Sequence, residues 1–489
     1  MPRILILLLL PLFSCAEKNF DFNPNCRAAY KEIIKLKLNN GQQLIDLEKR
    51  IHPDNLIPLF LENYIDFFTL FFNEDPQQYS RRRMMMDTRI QAMNNGPASS
   101  PFFLFTKAVI NFQWASVRLK FGYQWDGGWQ LRRAFLDIKE NQRKFPGFSP
   151  NSFYNGAMKV AVSTIPDGYK WLGNLFGLKS SGINGMQQLE QFLSERDEWA
   201  MLFRDEATFH YLFLKFYISN ERNDVFQYMR SHQLDIKNNY LFTYLSVNLS
   251  INNQQSSNAE QIINSRNTSS EYLQTSIWDL EMGYAKMNHL SADAAVYFER
   301  FLNRFKGSYY LKDVLHRLSW YHYLKGDMVR AEQYRKLVLQ KGSTDADADK
   351  VAFKEASSAI WPDKLLLSAR LLNDGGYYMD ALRLLQGKTQ EDFSPGNRLE
   401  FTYRVARLYD DLGRDEESMA FYQKVILLGQ HQKEYYAARS ALQLAYIYEV
   451  RKESKTAVYW FGRCLRMKDH DYKNSLDQRA KAGILRNTP

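Results

Sequence analysis

The chain of 489 residues has little of what small, cross-linked or turn-rich proteins need. Its three cysteines are too few for a scaffold held by disulfides. Its 24 glycines and 14 prolines are fewer than average, which disfavours β-sandwiches and β-barrels because their many turns depend on these residues. Hydrophobic residues make up 45% of the chain, so it can bury a large core. We therefore expect a folded, helical protein.

The sequence also lacks the short motifs of common enzyme and cofactor sites. It contains no phosphate-binding GxxxxGK[ST] or GxGxxG loop and no GxSxG nucleophile elbow. No two of the eight histidines lie three or four residues apart, and HExxH is absent. The alternating Asp345, Asp347 and Asp349 lack the glycine and the distal glutamate of a calcium loop. We expect no catalytic residue, no metal and no cofactor.

A short apolar run lies at the N-terminus. Residues 4–13 follow one positive charge, and ten residues are too few to span a bilayer but match the core of a secretory signal. The stretch Leu12-Phe13-Ser14-Cys15 resembles the lipobox of bacterial lipoproteins, in which the cysteine is acylated and becomes the new N-terminus. We expect a signal peptide over 1–15 and lipidation of Cys15; a plain secretory signal cleaved near Ala16 is the alternative. The resemblance implies the outer membrane, and we expect the periplasmic face.

An internal period marks the C-terminal half. Small residues recur beside aromatic ones, as in Ala406 with Tyr409 and Ala457 with Phe461. The small residues of the second helices are Ala294, Ala331, Ala381, Ser418 and Ala457. Their spacings are 37, 50, 37 and 39 residues, against about 34 in the tetratricopeptide repeat (TPR). The pattern resembles TPR helix pairs and predicts an all-α protein, a right-handed α-α superhelix of TPR-like pairs.

The first half is predicted to be helical but less regular. Apolar periodicity predicts helices over 20–48 and 55–72 and a helix pair over 101–121 and 128–145. The polar run 252–258 is predicted to be a surface loop. After the signal peptide we expect irregular helical repeats over 16–150, a central helical segment with a connector rich in glycine and aromatic residues over 151–275, and a TPR array over 276–489.

Three family resemblances accompany this pattern. The segment 101–341 is similar to the tetratricopeptide repeat protein 39 family, on a proline, leucine and glycine pattern. The matching positions are Pro166, Leu172, Gly177, Leu178, Gly185 and Leu189. The resemblance implies an all-helical array without catalytic residues, and the lipobox departs from that family. The tyrosine-rich stretch 297–338 resembles outer-membrane assembly lipoproteins of the BamD kind. SusD-like glycan-binding lipoproteins share the lipobox, the length and TPR helices, but a large irregular segment interrupts their repeats.

Basic residues are concentrated in one segment. Residues 79–144 contain 12 basic and 4 acidic side chains, so they supply +8 of the net charge of +10. The candidate basic surface consists of Arg81, Arg82, Arg83, Arg132 and Arg133. Trp114, Trp125 and Trp129 lie between them in the chain. A surface for anionic lipids, glycans or acidic partner segments is one interpretation; a solvated helix face beside core aromatics is the other. Nucleic acid is not expected as a partner.

The first helices of a TPR array form a concave face that can grip a peptide. The candidate partner-binding residues, expected to be exposed there, are Arg404, Arg407, Gln443 and Tyr446. We expect a non-catalytic envelope lipoprotein, held to the membrane by its lipid. It would act as a scaffold or adaptor for a protein partner, a peptide segment or a component of an outer-membrane complex. A SusD-like glycan-binding protein is the alternative, which a coplanar set of exposed Trp114, Trp125 and Trp129 would favour.

Overall fold

The computed structural model describes residues 17–163, 182–219, 221–358 and 360–488. Helices make up 75% of the structure. Its described residues form no β-strand and only one isolated bridge, between Asn19 and Asn55. The predicted all-α class is confirmed. Among the described helices, none combines the length and the apolar character that crossing a membrane requires.

The described part of the first half contains twelve α-helices. They are α1 (Pro24–Ile34), α2 (Leu38–Ile51), α3 (Ile57–Asn73), α4 (Pro76–Met93), α5 (Phe102–Lys120), α6 (Gln124–Lys144), α7 (Pro150–Ser163), α8 (Gly182–Ser194), α9 (Glu198–Leu214), α10 (Arg222–Ser231), α11 (Tyr240–Asn252) and α12 (Ser256–Ser265). A π-helical turn, Lys215–Ser219, extends α9.

The described part of the second half contains another twelve. They are α13 (Ile277–Asn288), α14 (Ala294–Arg304), α15 (Leu311–Leu324), α16 (Met328–Gln340), α17 (Asp347–Ser357), α18 (Lys364–Gly375), α19 (Tyr378–Leu385), α20 (Arg398–Asp411), α21 (Asp415–Gly429), α22 (Tyr436–Val450), α23 (Ser454–Arg466) and α24 (Lys473–Asn487). Short 3₁₀ turns at Gln390–Asp392 and Pro395–Asn397 lie between α19 and α20.

Consecutive helices pack against each other as pairs. In the second half the pairs are α13/α14, α15/α16, α18/α19, α20/α21 and α22/α23. The first helices also contact the next first helix, in the order α13, α18, α20 and α22, and α24 then packs on α22 and α23. All five small residues of the predicted period lie in second helices and are 0% exposed. A side chain larger than alanine or serine would push the paired helices apart at these positions.

The core is continuous in the first part of the chain and divided in the second. One hydrophobic cluster extends from Phe22 to Met282. Four smaller clusters follow it, each shared by neighbouring helices of the second half; the last runs from Leu399 to Ala480. A core divided in this way is expected of a repeat array, in which each unit packs mainly on its neighbours.

Two predictions for the first half need correction. The helix expected over 20–48 is two helices, because Leu36 has a left-handed backbone (φ 62°) that ends the first of them. The run 252–258 is only partly a loop, since α12 begins at Ser256. Within it, Gln254 bonds to the α18–α19 region rather than to solvent. The pair predicted over 101–121 and 128–145 is confirmed as α5 and α6.

The connector is only partly described. Pro166, Leu172, Gly177 and Leu178 lie outside the described residues. Gly185 and Leu189 lie on α8, which packs on α7, and a Cβ at Gly185 would meet the backbone oxygen of Gly156 at 2.8 Å. The helices approach so closely there that only glycine fits.

Candidate functional site

Five arginines come together near the C-terminus, where helices α18, α20, α22 and α24 lie side by side. Arg370 comes from α18, Arg404 and Arg407 from α20, Arg439 from α22 and Arg479 from α24. They line an open cavity of about 320 Å³, which we call the arginine groove. The contacts of α18 with α20, α20 with α22 and α22 with α24 bring these residues together.

Two of the groove arginines are neutralised by carboxylates on their own helix. Arg404 Nη2 lies 2.7 Å from Glu400 Oε1 and is only 6% exposed. Arg407 Nη2 lies 2.9 Å from Asp411 Oδ1. Both pairs are one helical turn apart, the spacing at which side chains on a helix meet. Nearby anions and buried tyrosines hold the pKa of Arg404 well above its usual value even though burial acts to lower it.

Arg370 is held by carboxylates from two helices. Its guanidinium lies 3.6 Å from Glu355 of α17 and 3.9 Å from Asp374 of its own helix. Glu355 also lies 3.0 Å from the Nε2 atom of His316. Burial acts to raise the pKa of Glu355, but Arg370 and His316 outweigh it and lower that pKa to about 2. Glu355 is therefore an anion at neutral pH, and Arg370 has its counter-ion.

Arg439 and Arg479, the other two arginines of the groove, have no counter-ion within the described residues. The guanidinium groups of Arg439 and Arg479 make no hydrogen bond or ion pair there. Arg222, on α10, faces Arg439 and donates only to the carbonyl of Asn252, at 3.0 Å, while its Nε is buried without a partner. Burial and the charge of Arg439 lower the pKa of both Arg222 and Arg479. Arg222 and Arg439 are half-buried and Arg479 is exposed, so three cations that repel one another lie close together without a counter-ion among the described residues.

Tyrosines line the same groove. The guanidinium carbon of Arg404 lies 5.6 Å from the ring centre of Tyr403 and 6.0 Å from that of Tyr436. Tyr435 contacts the exposed Tyr472 edge to face, with ring centres 5.2 Å apart. A groove with fixed cations and aromatic walls can take a ligand that is anionic and partly apolar.

The four predicted partner-binding residues lie on α20 and α22, but the groove uses only two of them. Arg404 and Arg407 line it. Arg404 is buried rather than exposed as expected, because Glu400 and the tyrosine rings cover it. Gln443 donates to Asp410 Oδ2 at 2.9 Å, and Tyr446 contacts Phe461 with ring centres 5.6 Å apart. These two side chains hold α22 against its neighbouring helices beside the groove.

The sequence pattern could have predicted one groove arginine, Arg439, that was not among the four candidate residues. Arg439 precedes Gln443 by four residues and Tyr446 by seven, so helical periodicity alone places all three on one face. Arg479 and Arg222 gave no such signal. Arg222 approaches Arg439 from a helix more than two hundred residues away in the chain, and only the tertiary fold brings them together.

The predicted basic surface is divided by the structure. Arg82 forms an ion pair with the buried Asp66, whereas Arg81, Arg83 and Arg133 are exposed. Arg132 is half-buried, with its guanidinium carbon 5.8 Å from the ring centre of Trp129.

The tryptophans of the same segment do not form the coplanar set expected for a glycan platform. Trp114 is buried and donates to Asn63 Oδ1 at 2.8 Å, while Trp125 and Trp129 are 64% and 52% exposed. Two exposed tryptophans remain on α6, near the half-buried Arg132 and the exposed Arg133.

The cysteines offer no chemistry in the described residues. Cys15, the predicted lipidation site, lies outside them. Cys26 and Cys464 are buried and unpaired, and burial raises the pKa of each thiol to about 12, so both stay protonated and unreactive. In the part of the chain that the structure describes, no group of three or more His, Cys, Asp or Glu side chains could hold a metal ion.

Comparison with known proteins found no family model and no curated protein that matches this chain.

Proposed function

We propose that this protein is a non-catalytic adaptor that is lipid-anchored at Cys15 in a bacterial outer membrane, on the periplasmic side. In this proposal it binds an acidic segment of a protein partner in the arginine groove. The observation that carries it is that Arg439 and Arg479, two cations of the groove wall, have no carboxylate partner among the described residues, while Arg222 lies close enough to repel both. Such a cluster costs folding free energy through like-charge repulsion, and an anionic ligand removes that cost.

The helix order supports a TPR-like superhelix as the frame for this groove. Each pair buries its small residue, and the first helices α13, α18, α20 and α22 contact one another in that order. In a right-handed superhelix these helices form the concave side, which receives an extended peptide. Arg370, Arg404, Arg407 and Arg439 all come from such first helices. The paired arginines would then position the ligand, and the unpaired ones would supply the net charge.

Peptide binding by the purified chain tests the proposal. The probes are a fluorescent oligoglutamate peptide and an oligoglutamine peptide of equal length. We expect the oligoglutamate to bind and to weaken with salt, because salt screens charges. The variant Arg439→Ala/Arg479→Ala should bind it at least about tenfold more weakly. Arg50→Ala/Arg196→Ala removes the same charge from exposed positions elsewhere and should bind normally. Equal affinity for both peptides, or equal losses in both variants, would contradict the proposal.

The basic surface supports the membrane part of the proposal. On α6, Trp125, Trp129, Arg132 and Arg133 share one stripe, and exposed Met84 lies on the neighbouring α4. Tryptophan and arginine together suit the headgroup region of a bilayer. We propose that this stripe lies on anionic headgroups once the lipid is inserted. Sedimentation with phosphatidylglycerol vesicles should decrease for Trp125→Ser/Trp129→Ser, and sedimentation unchanged from wild type would count against this orientation.

A further inference from the structure

A second, larger cavity lies beside the arginine groove. It is open to solvent on one side, has a volume of about 690 Å³ and is bordered by α11, α13, the start of α15 and the π-helical turn. Its walls carry the tyrosines Tyr217, Tyr244, Tyr284, Tyr309 and Tyr310, and we call it the tyrosine chamber. The volume falls in the range of small-ligand pockets, about 300–1,000 Å³.

A buried carboxylate lines the chamber. Glu281, on α13, is 4% exposed, and its Oε1 accepts one hydrogen bond, from Asn248 Nδ2 at 3.1 Å. Asn248 is itself fixed, since the hydroxyl of Tyr217 donates to its Oδ1 at 2.7 Å. Glu281 Oε2 accepts no hydrogen bond from any described residue. This oxygen is accessible from the cavity rather than fully buried, so the donor group of a ligand can reach it.

The charges of the chamber have one predominant sign. Glu281, Asp313, Asp347 and Asp374 line it, and Arg317 is the one cationic side chain among the lining residues. That guanidinium lies 3.6 Å from Asp313. Asp347 pairs with Lys350 at 3.1 Å and Asp374 with Arg370 at 3.9 Å. Among the described residues, Glu281 is therefore the lining carboxylate with no cationic partner.

The aromatic walls fit the same kind of ligand. A tyrosine ring presents a negative face, which attracts ammonium and guanidinium groups within about 6 Å of its centre. Tyr217 and Tyr310 are 43% and 40% exposed and stand at the mouth, whereas Tyr244 and Tyr284 are more buried. Burial raises the pKa of Glu281 to about 7, and a bound cation would favour its ionised form.

We infer that the tyrosine chamber binds an organic cation, an ammonium or guanidinium group whose counter-ion is Glu281 and whose alkyl chain is enclosed by tyrosines. The cation is either the side chain of a lysine or arginine in a peptide or a free amine. This site is separate from the arginine groove, since the two share only Gln254 and Asp374 in their walls. The inference therefore does not depend on the proposed function of the groove.

Calorimetric titration of the full chain tests the inference. The probes are a glycine-flanked arginine peptide, the same peptide with neutral citrulline, the free amine agmatine and a neutral oligosaccharide. We expect the arginine peptide or agmatine to bind, and whichever binds more tightly identifies the source of the cation. The citrulline peptide should bind at least about tenfold more weakly, because it keeps the shape but loses the charge.

Variants distinguish the chamber from other sites. Glu281→Gln, which preserves the shape and the acceptor for Asn248, should weaken cation binding at least about tenfold. Tyr310→Ala, at the exposed mouth, provides a second test that does not alter the buried carboxylate. Glu299→Gln changes a carboxylate that accepts from Tyr334 outside the chamber and should bind the cation normally. Arg439→Ala/Arg479→Ala should also bind it normally, which separates this test from that of the groove.

Three results would overturn the inference. The first is no cation binding by a folded wild-type chain. The second is equal binding of the arginine and citrulline peptides. The third is binding of the neutral oligosaccharide that Glu281→Gln leaves unchanged, since that result would make the chamber a site for hydroxylated ligands.

Discussion

The carboxyl group of Glu206 lies at the centre of the N-terminal core and is surrounded by three tyrosine hydroxyls. Tyr30 and Tyr154 donate to it at 2.6 Å each, and Tyr64 donates at 3.1 Å. Burial outweighs these donors and raises its pKa to about 7. The tyrosines lie 176, 52 and 142 residues from Glu206, so no local pattern could have predicted the cluster. Long-range polar contacts of this kind are what sequence periodicity cannot reveal.

Glu206 should make the stability of the protein depend on pH. The native state retains a proton that the unfolded chain releases above its ordinary pKa of 4.5. The contribution is therefore fully present below pH 4.5 and is lost as the pH rises to about 7. We expect the free energy of unfolding of the wild type, relative to Glu206→Gln, to fall by about 2–3 kcal/mol across this window.

Urea unfolding at a series of pH values measures this difference. Subtracting the variant isolates Glu206 from other carboxyls that titrate nearby, such as Glu281. A difference between wild type and variant that stays constant from pH 4.5 to 7 would contradict the assignment.

At the scale of helices, the sequence predicts the helix pairs of the second half. It does not predict how these pairs dock onto the first half. The period of small residues predicted the second helices, because only small side chains fit where paired helices touch. The same period gave no sign that the turn after α11 docks on the α18–α19 turn. There Gln254 Nε2 donates to the carbonyl of Asn373 at 3.1 Å and to Asp411 Oδ2 at 3.2 Å.

Gly376 should be the most sensitive turn residue of the array. Its backbone is left-handed (φ 86°), and an added Cβ would clash with the backbone oxygen of Gln254. Gly376→Ala should therefore lower the free energy of unfolding by about 3 kcal/mol, the sum of backbone strain and overpacking.

Gly413→Ala is the matched control. Gly413 has a similar φ of 71°, but a Cβ there meets nothing within 4 Å, so only the backbone strain of about 1 kcal/mol should remain. Chemical unfolding of both variants checks the comparison. Equal losses would mean that the contact with Gln254 adds nothing.

At the scale of the whole molecule, the described chain combines one continuous N-terminal core with an array of helix pairs whose core is divided into smaller clusters. Composition and periodicity predicted the all-α class and the array. They predicted two groove arginines, Arg404 and Arg407, because these lie on first helices. They missed Arg222 and the tyrosine chamber, because both depend on how distant helices meet. The boundaries at 150 and 275 and the lipid anchor stay predictions.

The proposed anchor predicts where the protein is found. Cys15→Ala removes the only thiol that a lipoprotein signal could acylate, so the variant should move from the membrane to the soluble fraction. Cell fractionation measures this, and mass spectrometry of the N-terminal peptide measures the acyl chains directly. Wild-type and variant chains that both begin at Ala16 without lipid would contradict the anchor and support plain secretion.

The central claim is that the arginine groove holds an acidic segment of a protein partner. The most direct test is photocrosslinking in intact envelopes, with a photoreactive amino acid in place of Ser475, an exposed residue of the groove wall. The same amino acid in place of Lys455, exposed on α23, is the control position. We expect one protein adduct at position 475 that is absent at 455, is lost in the Arg439→Ala/Arg479→Ala background, and contains a crosslinked peptide rich in Asp and Glu. Identical adducts at both positions, or an adduct that survives the loss of both arginines, would contradict the claim.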